Sequence, residues 1–368
     1  MKTKKTLLNK ICKNIHVDPV ILLLTLITKS LGLVILYSAS GNSYTVPLKQ
    51  LARLILGFIV MLSAARIKPH KLANASPYLY FMGLILLIFV FFSGHIGKGA
   101  QRWINLGIIN FEPSEVMKIA LPLFIAKIFH ETRLPLDTKF IMVALGIILV
   151  PVAITLKQPD LGTAILLIIS GCCVIFLAGI SWRVITYSLA SITISLPVAW
   201  HFLHDYQRQR VLTFLDPESV PLTTGYHIIQ SKIAIGSGGI WGKGYLSGTQ
   251  SHLKYLPENA TDFIFAHICE EFGMLGAICI LMLILSITIR GYQIALNAQD
   301  TFSRLVAASF STNFFCYAFI NIGMTTGILP VVGVPLPLIS YGGSFLVTTM
   351  LGLGILMSIH SHKKLITS

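Results

Sequence analysis

Charge is what this sequence has least of. Of its 368 residues only 11% are Asp, Glu, Lys or Arg, against roughly 25% in an ordinary soluble domain. So little charge cannot cover the surface of a soluble fold of this size, which excludes a cytosolic enzyme and a disordered chain. Acids are scarcer than bases, 14 against 28, and the net charge of +14 invites nucleic acid as a partner. The basic residues gather at the ends of apolar segments instead, where the positive-inside rule places them, so no nucleic-acid partner is expected. Cysteine provides no framework. Cys12, Cys172, Cys173, Cys269, Cys279 and Cys316 fall in or beside apolar segments or in the basic N-terminus, without disulfide or metal-site spacing. A phosphate loop is also missing, because Gly236–Gly244 lacks a Lys-Ser/Thr ending and a preceding strand. No Ser-His-Asp elbow is present.

What the chain does have is apolar length. Hydrophobic residues make up 54% of it, in runs long enough to cross a ~30 Å hydrocarbon core as helices. A β-barrel would need alternation with period two, and these runs are continuously apolar. The fold expected is all-α: a polytopic membrane protein forming a single integral unit over 1–368. About ten spans are expected, near 19–39, 47–65, 77–94, 113–130, 139–157, 161–180, 183–203, 263–290, 304–327 and 337–359. The first follows a lysine-rich start and reads as an uncleaved helix rather than a signal peptide.

With the N-terminus in the cytoplasm, sixteen Lys and Arg fall inside and ten outside, so both termini are expected to be cytoplasmic. The same topology puts ten of the fourteen acids at the outer face or in the outer part of a span. Chemistry is therefore expected on the outside. Two outer segments are unusual. The first is the long loop between the seventh and eighth spans, 204–262, whose apolar stretches suggest short helices lying at the membrane surface. The second, Gly327–Ser344, is too apolar for a solvated loop and too rich in Pro and Gly for a helix. Irregular backbone at membrane depth survives only when buried in protein or lining a cavity, so a re-entrant element bordering a cavity is expected.

Several charged residues stand where charge is costly. Glu115 and Lys118 lie one turn apart near the outer end of the fourth span, where each costs ~2.5–3.5 kcal/mol on insertion scales. They read either as a site or as a stiffening ion pair. Asp262 opens the eighth span, where an acid also suits a helix N-terminus. A helix reaching from Glu258 to Glu270 would stack all three acids on one face. Arg102, Arg208 and Arg210 are the best outer candidates for binding an anion, since Arg pairs bidentately with phosphate. Asp160 reads as a helix cap or a cavity residue.

Longer motifs go further. They include Arg102-Trp-Ile-Asn-Leu-Gly with Phe111-Glu-Pro-Ser-Glu-Val-Met-Lys118, Gln158-Pro-Asp-Leu-Gly-Thr163, and Tyr206-Gln-Arg-Gln-Arg-Val211 with Asp216-Pro-Glu218. Gly225-Tyr-His-Ile-Ile-Gln-Ser-Lys232, Thr261-Asp-Phe-Ile-Phe-Ala266 and Gly327–Ser344 complete the set. From about Asp18 to His362 the chain resembles the shape, elongation, division and sporulation (SEDS) family, in particular its RodA-type elongation branch.

The resemblance implies a peptidoglycan glycosyltransferase of the cytoplasmic membrane. It would polymerise lipid II, a disaccharide-pentapeptide on undecaprenyl pyrophosphate, at the periplasmic face during cell elongation. Asp262, Glu115 and Lys118 take the catalytic positions. Arg102, Arg208, Arg210, Asp160, Ser340 and Tyr341 are the substrate-binding candidates. A class B penicillin-binding transpeptidase, other rod-complex proteins and membrane lipid are the implied partners. No cofactor is demanded, and a divalent cation beside Glu115 stays open. A precursor flippase and a non-catalytic scaffold are the rival readings. Two departures from the family pattern stand out: Asn259-Ala260 replace a basic residue and a histidine before Thr261, and Glu112 stands where Gln is common.

Overall fold

The computed structural model describes residues 16–362 apart from 98–99, 106–109, 133–136, 159, 181, 203–207, 209–211, 217–223, 253–254 and 256–257. A helix lies at each of the ten expected spans. They are α1 (Pro19–Ala39), α2 (Thr45–Ala65), α3 (Pro69–Ser93), α4 (Pro113–His130), α5 (Thr138–Lys157), α6 (Leu161–Leu177), α7 (Trp182–Phe202), α10 (Ile264–Leu296), α11 (Thr301–Thr326) and α12 (Ser344–Ser361). Among the described residues, seven helices are long and apolar enough to cross a membrane. Two further helices, α8 (Thr224–Gly238) and α9 (Thr249–His252), lie between α7 and α10.

Local chemistry sets the helix ends. Asp18 caps α1, accepting from the backbone N–H of Val20 and Ile21 at 2.9 Å each, with Pro19 at the first helical position. Such a cap satisfies donors that the helix itself leaves unpaired. Asp160 caps α6 through the N–H of Thr163, and Asp300 caps α11 through that of Ser303. Gly327 ends α11 in the left-handed conformation, φ 77°, a backbone shape that costs glycine little.

Buried polar contacts mark the two ends of the bundle. At one end Asp18 is fully buried. Arg290 of α10 donates to it at 2.6 Å, and His360 of α12 stands 3.3 Å away. The start of α1 and the end of α12 therefore meet on one face, in keeping with two termini on one side. At the opposite end, Asn259 donates to the carbonyl of Ala39 at the close of α1. Between them α12 packs on α2, α10 on α11, and α3 on α4.

The structure departs from the sequence expectations in four places. A small antiparallel sheet, β1 (His95–Gly97), β2 (Ala100–Asn105) and β3 (Asn110–Phe111), joins α3 to α4 in the order β1-β2-β3, where no strands are expected. The last helix begins at Ser344 rather than 337, because Pro335, Pro337 and a left-handed Leu338 (φ 63°) hold the preceding chain irregular. That irregular stretch is buried at Val334, Leu336 and Leu338–Ser340, as a re-entrant element requires. Third, Glu258, Asp262 and Glu270 do not share a helical face: Glu258 is left-handed (φ 55°) and α10 starts only at Ile264.

The fourth departure is in the 204–262 loop. Its main helix α8 packs against α10 and α11, with Ser231 and Ala234 fully buried and the Ser231 hydroxyl donating to the carbonyl of Thr325. The glycine run then crosses a break in α10 at Gly273, φ 63° and ψ −158°. The fit is reciprocal. A Cβ on Gly242 would lie 2.7 Å from the nitrogen of Gly273, and one on Gly273 would lie 2.4 Å from the nitrogen of Gly242. Across the break, Lys243 and Gly244 donate backbone N–H groups to the carbonyls of Glu270 and Glu271 at 3.0 Å each.

Candidate active site

At the end of the bundle opposite Asp18, a cavity of about 420 Å³ opens between the start of α4, β2, the start of α6, the turn before α10 and the irregular stretch before α12. Six of the expected site residues line it: Arg102, Glu115, Lys118, Asp160, Asp262 and Tyr341.

Lys118 and Glu115 form one wall. They are nearly excluded from solvent and paired at 2.7 Å. Thr348 of α12 donates to the other Glu115 oxygen at 2.8 Å. The Lys118 ammonium also stands 5.8 Å from the ring centre of Tyr317 and 5.7 Å from that of Phe345. A buried pair held this way needs every lone pair and proton placed.

Arg102, on β2, forms an ion pair with Asp160 at 3.2 Å. Asp160 thus caps α6 and faces the cavity, both roles that the sequence leaves open. Glu112 precedes Pro113 at the head of α4 and accepts from the Ser114 hydroxyl at 2.6 Å. Burial pushes its carboxyl up to about 7, Glu115 and Asp160 push in the same direction, and Lys118 opposes them.

Asp262 sits in a turn just before α10, whose N-cap residue, Phe263, makes no side-chain capping bond. The turn is held from three sides. Ser340 donates its hydroxyl to the Thr261 carbonyl at 2.6 Å and accepts from the N–H of Leu336 at 2.8 Å. Tyr341 donates its N–H to the Ala260 carbonyl at 2.9 Å. The fully buried Asn321 of α11 donates to the carbonyls of both Asp262 and Val334, at 2.9 and 2.7 Å. Gly333 (φ 79°) runs beside the turn, where a Cβ would lie in ordinary contact, 3.5 Å from the Asp262 carboxylate. The positive φ favours glycine at that position.

Not every expected residue reaches the cavity. Ser340 stands behind the Asp262 turn and supports it. Arg208 donates to the carbonyls of Trp200 and His201 at the end of α7. Its guanidinium bonds helix carbonyls, and the residue is not among those lining the cavity. Arg210 lies outside the described residues. Conversely, Thr348, Asn321 and Arg53 take part without having been singled out. The Arg53 guanidinium lies 4.5 Å from the ring centre of Tyr341. Polar residues within apolar spans were the available signal for Asn321 and Thr348. Among the described residues, no group of three or more His, Cys, Asp or Glu side chains could hold a metal ion.

The arrangement places the Asp262 carboxyl in one cavity with two cations, which suits moving a proton at one point while stabilising negative charge at another. The cell cycle protein family model that joins FtsW, RodA and SpoVE matches residues 18–365, a stretch that contains every residue of the cavity. The chain belongs to this family. It is 48% identical over 365 residues to the peptidoglycan glycosyltransferase MrdB of Escherichia coli K12, covering 99% of this chain and 98% of that one. It is 32% identical to the peptidoglycan glycosyltransferase RodA of Treponema pallidum, covering 94% and 98%.

Solved structures of the family agree in architecture. One, from a study of polymerisation and crosslinking by a peptidoglycan synthase complex, superposes with a TM-score of 0.82 at 30% identity, covering 94% of this chain and 97% of that one. The rod shape-determining protein RodA of Thermus thermophilus superposes at 0.72 with 26% identity, covering 95% and 98%. This chain is accordingly a polytopic helical membrane protein of the RodA type.

Proposed function

We propose that this protein is a peptidoglycan glycosyltransferase that polymerises lipid II on the periplasmic face of the cytoplasmic membrane during elongation. The observation that carries the proposal is the meeting of Asp262 with Lys118 and Arg102 in one cavity. In this mechanism the acceptor sugar's 4-hydroxyl oxygen attacks the donor's anomeric carbon. The bond from that carbon to the lipid pyrophosphate breaks, and the hydroxyl proton passes to Asp262. Lys118 and Arg102 offset the charge that develops on the leaving pyrophosphate. An α-linked donor giving a β-linked product requires one inversion and no covalent intermediate. Glu115 holds Lys118 in place, Asp160 holds Arg102, and Ser340 and Tyr341 fix the turn that carries Asp262.

The protein acts as a single integral unit, 1–368, with the 204–262 segment on the outer side. Its partner is a class B penicillin-binding transpeptidase, which cross-links the new strand, within a larger rod complex. Purified protein with Asp262→Ala is expected to bind lipid II yet make no glycan in a polymerisation assay run with and without the transpeptidase. Normal polymer from that variant would refute the assignment. Lipid II crossing vesicle bilayers without product would favour a flippase.

A further inference from the structure

Glu112 is the charged cavity residue to which the mechanism above gives no task. Its carboxyl lines the cavity beside Glu115, Asp160 and Asp262. The cations among the cavity's lining groups are Arg102 and Lys118. Both point elsewhere, Lys118 to Glu115 at 2.7 Å and Arg102 to Asp160 at 3.2 Å. With all four carboxyls ionised, the described lining residues carry more negative than positive charge before any substrate arrives. A pyrophosphate brings further negative charge, and like charges at such range disfavour binding.

One change of state resolves the conflict. An ionised carboxylate only accepts hydrogen bonds, whereas a protonated one also donates. Glu112 is the group placed to make that change. Ser114 fills one of its oxygens, leaving the other for a proton. The charged groups acting on it are Glu115 and Lys118 on α4 and Asp160 before α6, and among the described residues Arg102 on β2 and Asp262 before α10 line the same cavity.

We propose that Glu112 works as a neutral carboxylic acid that donates a hydrogen bond to a phosphoryl oxygen of a lipid pyrophosphate, making substrate binding proton-dependent. This rests on the reading of the cavity as a site for a lipid-linked pyrophosphate. The upward displacement of the Glu112 carboxyl to about 7 agrees with it. The sign follows directly: below that value Glu112 is neutral and donates, and above it the new charge repels the ligand.

The test is the pH profile of lipid II polymerisation by purified wild type and Glu112→Gln, with KM and kcat resolved. Wild-type kcat/KM is expected to fall about tenfold per pH unit above pH ~7 through KM, as for loss of one essential proton. In Glu112→Gln, whose amide still donates, that alkaline fall disappears. Glu112→Ala, which cannot donate, has a raised KM at all pH values. An alkaline limb unchanged in Glu112→Gln, or one lying in kcat alone, overturns the proposal.

A second measurement needs no turnover. Farnesyl pyrophosphate binding, followed by calorimetry, is expected to weaken about fivefold from pH 7 to pH 8 in wild type, as the neutral fraction of one carboxyl titrating near 7 falls, but not in Glu112→Gln. Equal pH dependence in the two proteins refutes the role of Glu112. Absence of glycan at every pH with this binding difference intact refutes only the polymerase reading.

Discussion

Breaking the Glu115–Lys118 pair offers the sharpest test of how the cavity is built. Glu115 is 4% and Lys118 7% exposed, 2.7 Å apart, so Lys118→Met leaves a buried carboxylate with Thr348 as its remaining neutral donor. Losing one partner of such a pair costs about 3–5 kcal/mol. With an unfolding entropy of ~2.1 cal/mol/K per residue, 368 residues give ~0.8 kcal/mol/K, so Tm is expected to drop by about 4–6 °C. Glu115→Gln should cost less, because the stranded Lys118 ammonium keeps the Tyr317 and Phe345 ring faces, worth ~0.5–2 kcal/mol. The double variant removes both charges together and is expected to recover most of the loss, to within about 1 kcal/mol, while making no glycan. Thermal unfolding in detergent closes the cycle, and lipid II polymerisation reports activity alongside it. If the two single losses simply add in the double variant, the groups are not coupled and the wall of the cavity is not held as described.

Two further substitutions probe the supports, with a third as control. Asn321→Leu removes the donor shared by the carbonyls of Asp262 and Val334. At ~1–3 kcal/mol for each buried acceptor left unpaired, it should lower Tm and reduce kcat at least about tenfold, and full activity in a polymerisation assay would contradict the support. Gly242→Ala puts a Cβ 2.1 Å from the Glu271 carbonyl oxygen at φ +81°, and should destabilise by more than ~2 kcal/mol. Gly236→Ala, in α8 with nothing within 4 Å, should be neutral or stabilising by up to ~1 kcal/mol, and equal Tm shifts in the two would refute the packing argument.

The sequence exposes charges placed at a cost. Glu115, Lys118 and Asp262 stand out because apolar surroundings make each one expensive, and the Pro- and Gly-rich stretch before α12 announces itself by being neither loop nor helix. Relations between distant residues are harder to see. Ser340 holds Thr261 across 79 positions, and nothing local to either residue says so. Arg208 reads as an anion binder because its side chain is right for that task, yet nearby carbonyls of α7 claim it first. The sheet between α3 and α4 escapes because its strands are only two to six residues long, too short for alternation to register against the apolar helices around them. The α10 break escapes because Gly273 is a single glycine in a helical pattern, which propensity alone reads as a tolerated weak point.

The Asp18 clasp has a consequence for biosynthesis. Asp18 leaves the ribosome with the first helix, but its partner Arg290 follows 272 positions later, and His360 emerges only with the last helix. Through most of translation the acid's partners among the described residues are N–H groups of its own helix. The contact can form only after α10 and α12 are inserted, so the end of the chain completes the environment of its beginning. A protein truncated before α12 therefore lacks a helix and also leaves the first one unfinished.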